Sequence, residues 1–205
     1  MILGLGVSPM RRRDFIALVG SSVAAWPLAA CAQQTRLPTI GFLGANNATF
    51  ERASTDAFVR RLHDLGWIEN RTVVIEYRWA EGRDERFTEI LAEFVRLGVD
   101  VILTYTNPAA LAAKQATAVI PIVFAGAGDP IGTGLVASLA RPGGNITGLS
   151  TQQTDLASKR LEILREVLPG LHTLAILADR GSPNSVLEMG EARAAARTLD
   201  IAVVT

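Results

Sequence analysis

Three polar clusters each follow a short apolar run of the sequence, and their residue types could bind a small polar molecule. They are Asn46 with Asn47, Thr106 with Asn107, and the run Ala127, Gly128 and Asp129. If the apolar runs are parallel strands of one sheet, their carboxyl ends meet at one edge, which is where open α/β sheets bind ligands. We therefore expect these residues to lie around one crevice.

The chemistry of the clusters suits a molecule that carries both an anion and a cation. Asn107 precedes Pro108 at a predicted helix start, whose unpaired N–H groups and dipole favour a carboxylate, and Thr106 could add a hydroxyl. Asp129 could pair with an ammonium group, and Gly128 allows close approach of the backbone. An amino acid zwitterion would satisfy both. The alternative is that Asn107 and Asp129 only cap a helix and a turn, as their residue types often do.

Other kinds of site find little support in the sequence. The run from Gly126 to Gly132 resembles a dinucleotide-binding loop, but its glycine spacing is one residue too long and Asp129 would repel phosphate. His63 and His172 have no metal-ligand spacing around them, and a single cysteine excludes an internal disulfide and a thiolate metal site. We predict no enzyme activity, no metal and no cofactor, with an exported hydrolase as the minor alternative.

Composition indicates an α/β protein without a strongly charged partner. Hydrophobic residues make up 49% of the 205 residues and aromatic residues only 6%, which fits an interior of small aliphatic side chains. The 20 basic and 20 acidic residues cancel. The basic field that nucleic acid or an anionic membrane surface would require is therefore missing, and we expect neither partner.

Residues 1–32 have the anatomy of an export signal. Three arginines, at positions 11 to 13, precede an apolar run that reaches Ala30, is broken at Pro27 and is too short to span a bilayer. The arginines with Phe15 and Ile16 are similar to a twin-arginine motif, although general secretory signals also begin with basic residues, so both routes stay open. Met10 directly precedes the arginines and is the alternative start.

Cys31 allows two maturation routes. The run Leu28 to Cys31 is similar to a lipobox, in which the cysteine thiol receives a lipid and becomes the new N-terminus. Ala30 and Ala32 flank the same cysteine and satisfy the small-x-small rule of ordinary signal peptidase, which would release a soluble protein beginning at Gln33. We favour a periplasmic lipoprotein anchored through Cys31 and keep the soluble form as the alternative.

From Leu37 onward, short apolar runs alternate with helical patterns, which predicts a parallel sheet covered by helices. The strands are predicted at residues 39–44, 72–79, 99–106, 121–126, 145–149, 174–178 and 201–204. The helices are predicted at residues 51–65, 84–95, 107–118, 131–139, 156–168 and 184–199, with Asp84 capping the second of them. Within residues 72–79, Val74, Glu76 and Arg78 alternate with Val73, Ile75 and Tyr77. This pattern predicts a strand near a sheet edge.

These elements divide the exported part into two pieces. Residues 37–150 would form a doubly wound first lobe, and residues 151–205 would supply a crossing helix and the beginning of a second α/β lobe. Two strands and two helices cannot cover both faces of a sheet and protect its edges. We therefore expect an incomplete second lobe and a truncated chain.

Long runs of the sequence resemble one known family. They are IEYRWAEG at 75–82, PAALAAK at 108–114, GDPIGTGLV at 128–136 and LARPGGNITG at 139–148. Together with the order of signal, lobe and crossing, they resemble the ABC transporter substrate-binding proteins of the periplasmic-binding-protein type I fold, in the subgroup related to tryptophan import. That family normally runs well beyond residue 205.

The resemblance implies the extracytoplasmic solute-binding component of an ABC importer. Such a protein captures a small polar solute, for example an amino acid, between two lobes and serves a permease in the inner membrane, and the ligand favours the closed form. By analogy Asp179 would face the same cleft from the second lobe, and its alternative is a loop carboxylate beside Arg180. Tyr105, next to a strand end, is a candidate for stacking on an aromatic ligand. A ligand-sensing module for a membrane receptor is the alternative function.

Overall fold

The protein is built on a sheet of five parallel strands, and its computed structural model describes residues 36–204. The strands are β1 (Thr39–Gly44), β2 (Val74–Trp79), β3 (Val101–Thr104), β4 (Ile122–Ala127) and β5 (Ile146–Ser150). They lie in the order β2-β1-β3-β4-β5. The order reverses between β1 and β3, and this reversal point is where doubly wound sheets bind ligands. The export signal and Cys31 lie outside the described residues, so the predictions about them stand as predictions.

One face of the sheet is covered by the helices α2 (Arg86–Leu97) and α3 (Asn107–Ala116). The apolar stripe of α2 consists of Phe87, Ile90, Leu91 and Phe94, which are all buried, whereas Val95 is 41% exposed. Phe94 packs so closely on β1 that a Cβ at Gly41 would lie 2.8 Å from the ring. The predicted Asp84 cap is wrong, because the N-cap of α2 is Glu85 and no side chain caps that end.

The opposite face of β1 and β2 is covered by α1 (Ala48–Asp64). Phe42 contacts Phe58 of α1, with ring centroids 6.0 Å apart, and also the rings of Tyr77 and Trp79 on β2 at 5.6 and 5.4 Å. Tilted aromatic pairs at these distances are favourable beyond the area that they bury. Leu65, the last residue of the predicted helix, is the C-cap of α1 and is 58% exposed.

The strand β2 lies at the edge of the sheet, as predicted. Its Arg78 binds Glu93 of α2 at 2.6 Å and Glu76 of the same strand at 3.3 Å. The hydrogen bond to Glu93 raises the pKa of the Arg78 guanidinium and lowers the pKa of the Glu93 carboxyl. The alternating charges seen in the sequence are therefore an ion triad along this edge.

Residues 131–139 do not form the predicted helix. They run as turns and bends with Gly134 at φ +72°, and Leu135 and Val136 are buried. Lys114 of α3 donates to the carbonyls of Gly134 and Leu135 at 2.8 and 3.0 Å. Because Gly132 and Gly134 weaken a helix and Lys114 binds these carbonyls from outside, the segment packs as an irregular loop.

The rest of the chain forms α4 (Gln153–Val167), β6 (Thr173–Ala175), α5 (Pro183–Thr198) and β7 (Ala202–Val204). The strands β6 and β7 pair in parallel as a separate two-stranded sheet. Leu161, Ala196 and Ile201 form a small core between α4, α5 and β7. No helix within residues 36–204 is long and apolar enough to cross a bilayer.

Candidate ligand-binding site

The loop between β1 and α1 uses its two asparagines differently. Asn47 is the N-cap of α1, and its side-chain oxygen accepts a hydrogen bond from the backbone N–H of Phe50 at 2.9 Å. Asn46 donates its backbone N–H to Glu51 at 2.6 Å, and its side-chain amide lies 3.4 Å from the Tyr105 hydroxyl. Asn46 therefore faces the reversal point between β1 and β3, whereas Asn47 serves the helix.

At the start of α3, Thr106 is the N-cap and Asn107 makes a longer-range link. The Thr106 hydroxyl accepts from the backbone N–H of Ala109 at 3.4 Å. Asn107 is buried, accepts from the Gly128 N–H at 2.6 Å and donates to the Thr133 hydroxyl at 3.0 Å. The N-cap is therefore Thr106, whereas Asn107, for which capping was the alternative, ties α3 to the loop that follows β4.

The loop after β4 brings its glycine, but not its carboxylate, to the candidate site. Ala127 is fully buried, and its carbonyl accepts from the backbone N–H of Thr151 at 2.8 Å. Gly128 lies against Asn184 so closely that a Cβ would collide with that side chain. Asp129 accepts from the Gly132 N–H at 2.8 Å, in a turn.

A cavity of about 300 Å³ lies at the carboxyl ends of β3 and β4, and we name it the polar cavity. It brings Thr106, Asn107 and Gly128 together with residues of α4 and α5 that the sequence analysis did not single out. Its lining residues are Tyr105, Thr106, Asn107, Pro108, Gly126, Gly128, Thr151, Gln153, Ser182 and Asn184. Ser182 before Pro183 is a helix-start signal like Asn107 before Pro108, so the sequence could have identified this second helix end.

Asn184 is the most informative residue of the polar cavity. Asn184 is buried, with an exposure of 8%, and its amide nitrogen donates to Gln153 at 3.3 Å. Its amide oxygen is buried without a hydrogen-bond partner. Because a buried acceptor without a partner costs about 1–3 kcal/mol, this oxygen is suited to a donor on a bound molecule.

A second cavity, of about 470 Å³, adjoins the polar cavity, and we name it the apolar cavity. Tyr105, Gly126 and Thr151 line both cavities. The remaining lining residues of the apolar cavity are Phe42, Phe50, Glu51, Ser54, Phe58, Leu103, Thr104 and Ala125. A molecule with a polar end and an apolar end could therefore occupy both cavities.

Tyr105 and Glu51 form a pair at the junction of the two cavities. The Tyr105 hydroxyl donates to Oε1 of Glu51, which is 5% exposed. Burial first, and then the hydrogen bond to Glu51, raises the pKa of Tyr105 to about 12. Burial, together with Glu69, also raises the pKa of Tyr77 to about 12.

These two residues are the two tyrosines of the sequence, so a spectroscopic titration tests both pKa values. We expect the ultraviolet absorbance of tyrosinate to rise near pH 12 in the folded chain and near the ordinary value of 10.0 in the unfolded chain. Since the folded state holds these protons more tightly, the tyrosines stabilise the fold fully below pH 10.0, and this contribution falls as the pH rises towards 12. Ionisation of both tyrosines near 10.0 in the folded chain would contradict this environment.

Asp179 lines neither the polar cavity nor the apolar cavity. It accepts from the Gly181 N–H at 2.8 Å and lines a separate cavity of about 380 Å³ with Arg160 and Glu188. Within residues 36–204, no three side chains of the metal-binding types are gathered in one place.

Comparisons with known proteins match this chain to a family of substrate-binding proteins. A model of the family described as ABC transporter substrate binding protein matches residues 51–205. A tyrosine-binding protein of Clostridioides difficile is 30% identical over 132 residues, which are 64% of this chain and 38% of that protein.

Two solved structures are also similar. A conserved domain protein from Vibrio cholerae has a TM-score of 0.76 and 27% identity, over 82% of this chain and 56% of that one. The ABC domain of Streptococcus pneumoniae in complex with L-Trp has a TM-score of 0.75 and 26% identity, over 83% of this chain and 57% of that one. These likenesses confirm the predicted α/β fold of the periplasmic-binding-protein type I class, and the chain spans 38% to 57% of the lengths of these relatives.

Proposed function

Since the chain belongs to the ABC transporter substrate-binding protein family, we propose that it captures a small polar solute, an amino acid or a closely related compound, for an ABC importer. The polar cavity is the observation that carries this proposal. It lies beside the reversal point of the sheet, where doubly wound sheets bind ligands. The family is one of solute-binding proteins and not of enzymes.

Two helix ends make the polar cavity suitable for a carboxylate. Both α3 and α5 begin at it, with Thr106 and Ser182 as their N-caps. The first turns of helices present unpaired N–H groups and the positive end of the helix dipole. The amino acids named for two relatives, tyrosine and L-Trp, support the same ligand class.

The family and the predicted export signal support a proposal about where the protein binds its solute and which partner it serves. We propose that the mature protein lies in the periplasm, anchored through a lipid on Cys31, and delivers its solute to a permease of the inner membrane. Asp179 would contact the solute only in a closed arrangement of the complete protein, because it lines a different cavity from the other candidate residues here. The soluble form released after Ala32 remains the alternative for Cys31.

Calorimetric titration of the full chain with a panel of L-amino acids tests the proposal. We expect at least one of them to bind, and we expect Asn184→Ala to weaken that binding about tenfold, since a lost hydrogen bond to a ligand is worth about 1 to 2 kcal/mol. Gln115→Ala changes an exposed amide of α3 away from the cavity and should leave the affinity unchanged.

The same series decides the role of Asp129. If it contacts the solute, Asp129→Ala weakens binding, and unchanged affinity removes Asp129 from the site. Failure of every amino acid to bind the unaltered chain would contradict the proposed ligand class.

A further inference from the structure

Glu51 is a buried carboxylate that the sequence analysis did not single out. Its Oε1 accepts hydrogen bonds from the Asn46 N–H and from the Tyr105 hydroxyl. Its Oε2 is buried without a partner and lies so close to Gly44 that a Cβ on the glycine would collide with this oxygen, and also with the Trp79 ring. Burying a charge is costly unless other groups compensate it, so a carboxylate in this place calls for a functional or structural reason.

The first turn of α1 compensates part of the cost of burying the Glu51 carboxylate. Glu51 lies in that turn, where the positive end of the helix dipole stabilises an anion. The remaining negative charge lies at the carboxyl ends of β1 and β3, beside the point where the strand order reverses. A cation that reaches this point would complete the compensation.

Tyr105 connects Glu51, which lines only the apolar cavity, to the polar cavity. Its hydroxyl proton is used in the bond to Glu51, so only the lone pairs of its oxygen remain for another group. Among the described residues, the side-chain amide of Asn46 and the backbone N–H of Ala45 both approach this oxygen, and the Asn46 distance of 3.4 Å is long for a hydrogen bond. The high pKa of Tyr105, about 12, means that the phenol keeps this proton at any physiological pH. The hydroxyl therefore offers an acceptor at the junction of the two cavities.

We propose that Glu51, acting through the Tyr105 hydroxyl, recognises the ammonium group of the solute. Tyr105 contacts the solute, and Glu51 is a positioning residue that holds the hydroxyl with its oxygen towards the donor and supplies the negative charge. The inference rests on the proposed function and assigns the cationic end of the same ligand. Its carboxylate then lies at the helix starts of the polar cavity, so opposite ends of a zwitterion meet opposite charges.

This assignment differs from the one that the sequence suggested. Asp129 was the expected partner of the ammonium, but its carboxylate accepts from Gly132 and it lines neither the polar nor the apolar cavity. Glu51 is more buried than Asp129 and is linked by a hydrogen bond to a residue that lines both cavities.

Matched pairs of probes that differ only in the ammonium group test the inference. The pairs are L-tyrosine with phloretate and L-leucine with isocaproate, each titrated calorimetrically into the full chain. The unaltered protein should prefer the amino acid of a pair. Since a hydrogen bond to a charged group is worth about 1.5–3 kcal/mol, Tyr105→Phe and Glu51→Leu should lower that preference about tenfold or more.

The conservative variant separates orientation from charge. Glu51→Gln keeps a carbonyl oxygen that accepts from Tyr105 and should restore part of the preference that Glu51→Leu loses. Glu89→Gln, an exposed carboxylate on α2, should have no effect. A purely structural role of Glu51 would weaken the two members of a pair equally and leave the preference unchanged.

Two outcomes would overturn the inference in distinguishable ways. If the unaltered chain binds an amino acid and folded Tyr105→Phe and Glu51→Gln keep its full preference, the inference is wrong and the proposed function stands. If the unaltered chain binds none of the amino acids, the proposed function and the inference both fail. Thermal unfolding identifies any variant that does not fold. If Glu51→Leu does not fold, Tyr105→Phe still decides the inference.

Discussion

Replacing Asn107 by alanine is expected to lower the free energy of unfolding by about 2–3 kcal/mol and to weaken solute binding at least tenfold. The variant loses the bonds to the Gly128 N–H and the Thr133 hydroxyl, and the Gly128 N–H is buried. Without this link, the start of α3 and the loop after β4 no longer hold each other in place at the polar cavity. Urea denaturation measures the first effect, and calorimetric titration with the best-binding amino acid measures the second.

Asn145→Ala is the matched control for Asn107→Ala. The Asn145 side chain also joins two segments, because it donates to the carbonyls of Thr117 and Ile120 at 3.1 and 2.7 Å. It lies just before β5, at the opposite end of the strands from the cavities. We expect Asn145→Ala to lower stability but not affinity, and equal losses of affinity in both variants would mean that Asn107 acts only through stability.

Replacing Phe94 by alanine is expected to lower the free energy of unfolding by about 3–5 kcal/mol, the largest effect that we predict for one side chain. Its ring is fully buried between α2 and the sheet and lies directly over Gly41. The glycine cannot fill the space that the ring leaves, so a cavity would remain. The neighbouring Val95 is 41% exposed, and Val95→Ala should cost less than about 1 kcal/mol in the same urea experiment. A loss below that value for Phe94→Ala would contradict the packing of α2 described above.

The order of strands and helices could be predicted because each strand is a short apolar run between clear turn signals. The first strand was predicted at the bounds that the structure has, Thr39–Gly44, and the others differ at their ends by a few residues. Strand ends depend on pairing, which explains why the run predicted at 99–106 pairs only at Val101–Thr104. The segment 131–139 was predicted wrongly, because its apolar spacing fits a helix while its stabilising bonds come from distant Lys114.

The position of the candidate site could be predicted from the sequence, but the contacts within the site could not. Parallel strands place their following loops at one edge, so the loops at Asn46, Thr106 and Gly128 were predictable. The roles within these loops depend on contacts far apart in the sequence. Glu51 meets Tyr105 across 54 positions, and Asn184 meets Gln153 across 31. No local pattern distinguishes such residues from exposed polar side chains of a helix.

Gly128 also shows that residue type alone does not identify the group that a glycine accommodates. The sequence suggested that Gly128 allows a ligand to approach the backbone, whereas the structure places the Asn184 side chain there. The absence of a Cβ therefore serves the contact between the loop after β4 and the start of α5. The space beside the Gly128 backbone is occupied by the Asn184 side chain.

The ion triad of Arg78, Glu76 and Glu93 lies along the edge strand β2, where another chain could pair with the sheet. A strand at the margin of a sheet offers unpaired N–H and C=O groups that another chain could join, and charged side chains discourage such joining. A foreign strand aligned along β2 would have to displace or desolvate these paired charges. The pair Arg78 and Glu93, which fastens β2 to α2, and Glu76 on β2 itself thus disfavour aggregation along this edge.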